Sequence, residues 1–155
     1  MRHIRETLLV ITILLQSQAA LADSTQDSFV GNDACASCHE AQVQDWTDSH
    51  HDLAMQEATP ETVLGNFNNA NFDYFGVTTT FSQRGDAFFI ETENAAGELE
   101  TYRVEYVFGV EPLQQYLLPL GNGRLQALSI AWDSRPETEG GQRWYHLYPD
   151  EPIAA

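Results

Sequence analysis

The hydrophobic and polar positions of this chain change their period part-way along its length. Between residues 33 and 57, four large side chains recur at intervals of four, three and four residues. They are His39, Val43, Trp46 and His50. Because such intervals place side chains on one face of a helix, the pattern predicts a helical segment over residues 33–57.

Beyond about residue 74, the pattern changes to short runs of aromatic and β-branched residues with partial alternation, which are typical of β-strands. Residues 65–73 are rich in asparagine, glycine and phenylalanine, and they predict an irregular connection before these runs. Turn-forming residues such as Arg84-Gly85-Asp86 and Gly121-Asn122-Gly123 separate the runs. The predicted strands cover residues 75–83, 87–93, 99–110, 116–120, 124–132 and 144–148.

Together these elements predict an α+β fold, in which a short helical segment is followed by an antiparallel β-sheet meander. The helical segment lies within residues 31–57 and the β region within residues 74–150. A chain of 155 residues has room for one domain with a modest core. Residues 23–155 are therefore predicted to form a single domain.

The first 22 residues have the layout of a secretory signal peptide. Arg2 and Arg5 precede a short apolar stretch, residues 8–15, and Ala20-Leu21-Ala22 places small residues where signal peptidase cleaves. The apolar stretch is shorter than the roughly 20 residues that a membrane-spanning helix needs. The sequence therefore predicts a periplasmic or secreted protein that has no integral membrane segment after cleavage.

The chain is strongly acidic and contains no lysine. It has 7 arginines and 23 carboxylates, which give a formal net charge of −16 at pH 7. Such a surface repels nucleic acid and anionic lipid, so neither is an expected partner. A protein partner is expected to present a basic docking patch.

The two cysteines lie in the sequence Cys35-Ala36-Ser37-Cys38-His39, which has the C-x-x-C-H pattern of covalent c-type haem attachment. Two thiols one helical turn apart can bond to the two vinyl groups on one edge of a porphyrin. The adjacent imidazole of His39 can then bind the iron as the proximal axial ligand. The sequence predicts one covalently bound haem c and one-electron transfer.

Other readings of the cysteine pair remain open. A zinc site could use Cys35, Cys38 and His39 together with His50 or His51, which would make a non-redox metal-binding module. A disulfide would close so short a loop that it would remove little entropy from the unfolded chain. A thioredoxin-like pair would need a preceding strand, and the sequence before Cys35 does not predict one.

The second axial position on the iron has several candidate ligands. In one straight helix, His39 and His50 would be about 16 Å apart, so both could not bind one iron. Either the chain turns back at Thr47-Asp48-Ser49, or the second histidine serves another haem. The candidates are His50, His51 and Met55 nearby and His146 far along the chain.

The segment from Cys35 to Met55, with C-x-x-C-H followed by Trp46, Ser49, His51 and Ala54, resembles the haem segments of multihaem cytochromes c of the cytochrome c554 type. Residues 108–110, 112–116 and 124–127 are similar to the N-terminal region of large periplasmic multihaem cytochromes c.

The resemblance implies that the histidine of a Trp-x-x-Ser-x-His arrangement is the distal haem ligand. This places His51 first and His50 second among the candidates. Proteins of this type usually contain several C-x-x-C-H motifs, whereas this chain has one. The resemblance therefore implies an alternative in which the chain is the N-terminal module of a multihaem oxidoreductase.

Overall fold

The computed structural model describes residues 30–151, and the predicted signal peptide lies outside the described residues. The chain divides into two compact units, residues 1–39 and residues 40–155. Throughout the described part, helices are all too short or too polar to cross a membrane.

The described part of the first unit contains helix α1, Asp33–Ala36. The carbonyl oxygen of Asn32 accepts hydrogen bonds from the backbone N–H groups of Cys35, at 2.9 Å, and Ala36, at 3.0 Å. These bonds close a single helical turn directly before the second cysteine. The haem motif therefore begins inside a helical turn.

The second unit begins with helix α2, Glu40–Trp46, and continues through a 3-10 turn, Asp52–Ala54, into strand β1, Met55–Glu57. The predicted helix over residues 33–57 is therefore wrong as a continuous element. At the end of α2, Asp48 adopts a left-handed conformation with φ +60°. Its backbone N–H donates to the Asp52 carboxylate at 2.9 Å, and the Asp52 N–H donates to Ser49 Oγ at 3.3 Å. The Asp52 carboxylate and the Ser49 hydroxyl thus accept hydrogen bonds from backbone N–H groups that would bond to backbone carbonyls in a continuing helix.

The first sheet is a meander of four antiparallel strands in chain order, β2 to β5. A bulge between Asn68 and Ala70 interrupts the first pairing. The irregular connection predicted over residues 65–73 is wrong for residues 68–73, which belong to β2. The four strands are β2 Asn68–Tyr74, β3 Val77–Arg84, β4 Ala87–Glu93 and β5 Leu99–Arg103.

The second sheet joins β1 to the C-terminal half of the unit. Its strand order is β1-β6-β7-β9-β10, with β8 also paired to β7, and all pairs are antiparallel. The added strands are β6 Tyr106–Phe108, β7 Leu113–Pro119, β8 Leu125–Ala127, β9 Ile130–Asp133 and β10 Arg143–His146.

The predicted α+β class is wrong, because residues 30–151 are mostly β-structure in two sheets and their helices are short. None of the residues in α1, α2 or the 3-10 turn is buried. A helix contributes a layer to a fold only when it packs an apolar face against another element. These helices do not, so the hydrophobic core belongs to the sheets.

Phe67 is the centre of this core, which contains side chains from both sheets. Its ring packs edge-to-face against Phe88 and Tyr116, both with ring centroids at 5.1 Å. It packs in the same way against Phe81 and Trp144, at 5.6 Å. The short segment before β2 is thereby fixed between the two sheets.

A buried hydrogen-bond network holds the preceding connection against β7. Gln114 Oε1 accepts from the Leu64 N–H at 2.8 Å and from the Tyr116 hydroxyl at 3.0 Å, and Gln114 Nε2 donates to the Thr62 carbonyl at 2.9 Å. The Gly65 N–H donates to the Tyr116 hydroxyl at 3.0 Å. A Cβ atom at Gly65 would collide with that hydroxyl, so only glycine fits. Burial raises the pKa of Tyr116 and keeps its hydroxyl neutral.

Candidate haem-binding site

The backbone of Cys35 to His39 forms one closed helical turn. The Cys35 carbonyl accepts hydrogen bonds from the N–H groups of Cys38, at 3.2 Å, and His39, at 3.0 Å. Residues three and four positions apart in such a turn lie on neighbouring parts of its surface. The local fold therefore presents the first thiol close to the second thiol and to the imidazole that follows it.

All three side chains are accessible for chemistry. Cys35 and Cys38 are exposed free thiols, and His39 is also exposed. Both sulfurs are available to bond to vinyl groups, and the imidazole can reach an iron without leaving a buried position. The chemistry of this donor set therefore fits a covalently attached haem.

The two candidate distal histidines lie in the second unit, after the turn that ends α2. The Trp46 carbonyl accepts from the Ser49 N–H at 3.0 Å, and the His51 carbonyl accepts from the Ala54 N–H at 3.4 Å. His50 lies between these two bonds and His51 takes part in the second, and both side chains are exposed. Residues 39–50 do not form one straight helix, so the helical separation of about 16 Å does not apply to them.

Comparison with known proteins bears on this part of the chain. Residues 34–74 match the family model for cytochrome c554 and c-prime. We call this matched stretch, residues 34–74, the cytochrome c segment. No curated protein and no solved structure matches the chain. The match confirms the resemblance of the cytochrome c segment, which contains the C-x-x-C-H motif and both adjacent histidines.

The two cysteines are free thiols in the described part of the chain, and no disulfide joins them there. Between Val30 and Glu151, no group of three or more His, Cys, Asp or Glu side chains is placed to hold a metal ion.

The aromatic residues of the cytochrome c segment have different environments. Phe67 is a core residue, and Phe72 is half-buried against the core. Trp46 and Phe75 are exposed, with 41% and 62% of their surface accessible. Met55 is also exposed and lies opposite Phe108 in the β1–β6 pair. Phe67 and Phe72 therefore pack in or against the core between the sheets, whereas the side chains of Trp46 and Met55 are exposed to solvent.

His146, the remaining candidate ligand, lies in β10 and is almost completely buried. Its imidazole stacks on the Tyr74 ring, with centroids 3.9 Å apart and planes within 5°. Its Nδ1 lies 3.1 Å from the backbone N–H donor of Tyr148. These contacts give His146 a packing role within the second unit.

Proposed function

We propose that Cys35 and Cys38 hold one haem c by thioether bonds, that His39 is its proximal axial ligand, and that the protein transfers electrons. One observation carries the proposal. The complete C-x-x-C-H motif, with both thiols free and exposed, lies inside the segment that matches the cytochrome c554 and c-prime family. Bound there, a haem supplies one-electron redox chemistry.

The chain's own residues would fix the cofactor and orient its first ligand. Two covalent bonds from one helical turn restrict the position of the porphyrin edge. The hydrogen bond from the His39 N–H to the Cys35 carbonyl restricts the backbone that carries the imidazole. A fixed imidazole favours a constant ligand geometry, which in turn helps to set the reduction potential.

The poor packing of the helical segment supports the same proposal. Isolated helices of fewer than about 12 residues are marginal in water, and most helix stability in proteins comes from packing. Here α1 has 4 residues, α2 has 7, and neither buries a side chain. A covalently bound porphyrin supplies apolar surface to a segment that otherwise has little.

The predicted export and the acidic composition of the chain also support the proposed function. Covalent haem attachment takes place outside the cytoplasm, in agreement with the signal peptide that the sequence predicts over residues 1–22. The formal net charge of −16 favours a redox partner protein with a basic patch, because opposite charges speed the encounter of the two proteins. That encounter is expected to slow as salt is added.

A haem assay on the exported protein tests the proposal. The full chain is expressed with the haem-attachment machinery, and the purified product is examined by pyridine haemochrome spectroscopy, intact mass and metal analysis. We expect one haem and one iron per chain, retained under denaturing conditions. A product that contains zinc in place of iron, or whose mass shows no added haem, would overturn the proposal.

The distal ligand is tested by substituting each of the adjacent histidines. We propose His51 as this ligand, so His51→Ala is expected to convert a low-spin spectrum into a high-spin one, because an axial position is lost. The His50→Ala protein is the matched control and is expected to stay low-spin. Absorption spectra of the oxidised proteins distinguish the outcomes. The reverse result would assign the role to His50, and two unchanged spectra would exclude both residues.

A further inference from the structure

The two sheets of the second unit enclose a groove that lies outside the cytochrome c segment for most of its length. Its larger part is a cavity of about 420 Å³ between β4 and β5 of one sheet and β7 and β8 of the other. Cavities of about 300–1,000 Å³ are typical of small-molecule sites. Apolar side chains form most of its wall, among them Tyr102, Leu118, Leu120, Ala127 and Leu128.

A smaller cavity of about 90 Å³ adjoins the first, and Thr92, Leu128 and Ser129 belong to the walls of both. It extends the groove towards Thr79 and His146. The larger cavity therefore has an apolar wall, and the smaller one gives the groove a polar end.

The polar end contains a hydrogen-bond donor that the described residues do not satisfy. The hydroxyls of Thr79 and Thr92 are 2.9 Å apart, and both residues are at least 97% buried. Each hydroxyl has one proton, and only one of the two protons can lie between the two oxygens. The hydrogen bonds of the described residues give these two hydroxyls no partner other than each other, so the second proton can be donated to a bound molecule. A ligand with an acceptor at this end of the groove would gain a hydrogen bond that a ligand without one lacks.

Charge restricts the kind of molecule that can supply this acceptor. Glu93 lies in the wall of the smaller cavity, and neither cavity is lined by an arginine. The chain as a whole has a net charge of −16. An anionic ligand would be repelled, and a neutral carbonyl oxygen is the simplest acceptor that avoids the repulsion.

We propose that this groove binds a neutral, ring-containing apolar molecule whose carbonyl oxygen accepts a hydrogen bond from the Thr79–Thr92 pair. The rings occupy the larger cavity, where they bury apolar surface against Leu118 and Leu128. The carbonyl points into the smaller cavity. This site is independent of haem attachment, since its walls contain no residue of the C-x-x-C-H motif.

Two probes that differ only in the acceptor test the proposal. The probes are 2-acetylnaphthalene, which has a carbonyl group, and 2-ethylnaphthalene, which has none. Neither reacts readily with a free thiol, so the state of Cys35 and Cys38 does not affect the experiment. Binding to the full exported chain is measured by equilibrium dialysis. We expect both probes to bind at one saturable site and the carbonyl compound to bind about three- to tenfold more tightly.

Variants with matched controls separate the two ends of the groove. Replacing both Thr79 and Thr92 by valine keeps the side-chain shapes, removes both hydroxyl protons and is expected to remove the preference for the carbonyl probe. Thr101→Val, on the exposed part of β5, is expected to keep it. Ala127→Phe fills the larger cavity and is expected to abolish binding of both probes. Ala96→Phe adds the same ring at an exposed turn position and is expected to leave binding unchanged.

Chemical shifts of the unmodified protein provide a measurement that does not depend on a variant folding. Addition of 2-acetylnaphthalene is expected to shift the backbone amide signals of Thr92, Leu128 and Ser129. Three results would each overturn the proposal. They are absence of saturable binding, equal affinity for the two probes, and shifts confined to residues outside the groove.

Discussion

Replacement of both Cys35 and Cys38 by alanine is expected to abolish covalent haem attachment completely. The two sulfurs are the chain's only thiols, so the double variant has no group that can form a thioether bond. Either single variant keeps one thiol and is expected to hold less haem, through one bond. Intact mass under denaturing conditions measures the covalent haem directly. The sheets contain neither cysteine, so we expect the far-ultraviolet circular dichroism of the β-structure to remain.

Ser37→Ala is the control for this experiment, because Ser37 lies between the two cysteines in the same helical turn and is also exposed. The C-x-x-C-H motif does not specify its side chain. The control is expected to carry one full haem. A double-cysteine variant that still contains covalent haem would show that another residue forms the attachment. A Ser37→Ala protein without haem would show that disturbance of the turn alone can explain the loss.

The candidate haem site can be predicted from the sequence because its specific part is contiguous. Cys35, Cys38 and His39 need only one helical turn to come together, and such a turn is determined locally. The distal ligand cannot be predicted from the sequence in the same way. His50 and His51 are adjacent and both exposed, so their chemical types and their burial are the same. Only the resemblance to cytochrome c554 ranks His51 first.

The strands were easier to predict than the helix. Strand β4 has the predicted bounds, Ala87–Glu93, because a hairpin turn at Gly85 precedes a clear alternation of buried and less buried positions. The helical period over residues 33–57 is misleading, because the turn-forming residues Thr47-Asp48-Ser49 follow the end of α2 at Trp46 and interrupt the helix. The sequence does not predict strand β2, because its asparagines are typical of loops, although Ala70, Phe72 and Tyr74 alternate towards the core.

The division into two sheets could not be predicted from local patterns. Strand β1 pairs with β6, about 50 residues later in the chain, and the connection before β2 is held by Gln114 of β7. Contacts of this separation depend on the whole chain collapsing together, and no short window contains both partners. The groove cannot be predicted from local patterns for the same reason, because β4 and β5 of one sheet and β7 and β8 of the other form the walls of its larger cavity.

Phe67→Ala is expected to lower the free energy of unfolding by about 3–5 kcal/mol, which is the usual cost of truncating a buried phenylalanine. Only 4% of its surface is accessible, and its ring contacts four aromatic rings that belong to both sheets. Truncation would leave a cavity whose walls are held by the strands around it, so the site can collapse only partly. Urea unfolding followed by tryptophan fluorescence measures the change, because Trp144 packs against Phe67.

Phe75→Ala is the matched control, since it removes the same side chain from a position that is 62% exposed. It is expected to change the free energy of unfolding by about 1 kcal/mol or less. Phe67 also lies within the matched cytochrome c segment, and haem attachment does not require it in our proposal. The Phe67→Ala protein is therefore expected to keep one covalent haem while it unfolds at a lower urea concentration. Equal losses of stability in the two variants would mean that Phe67 is not the centre of the core.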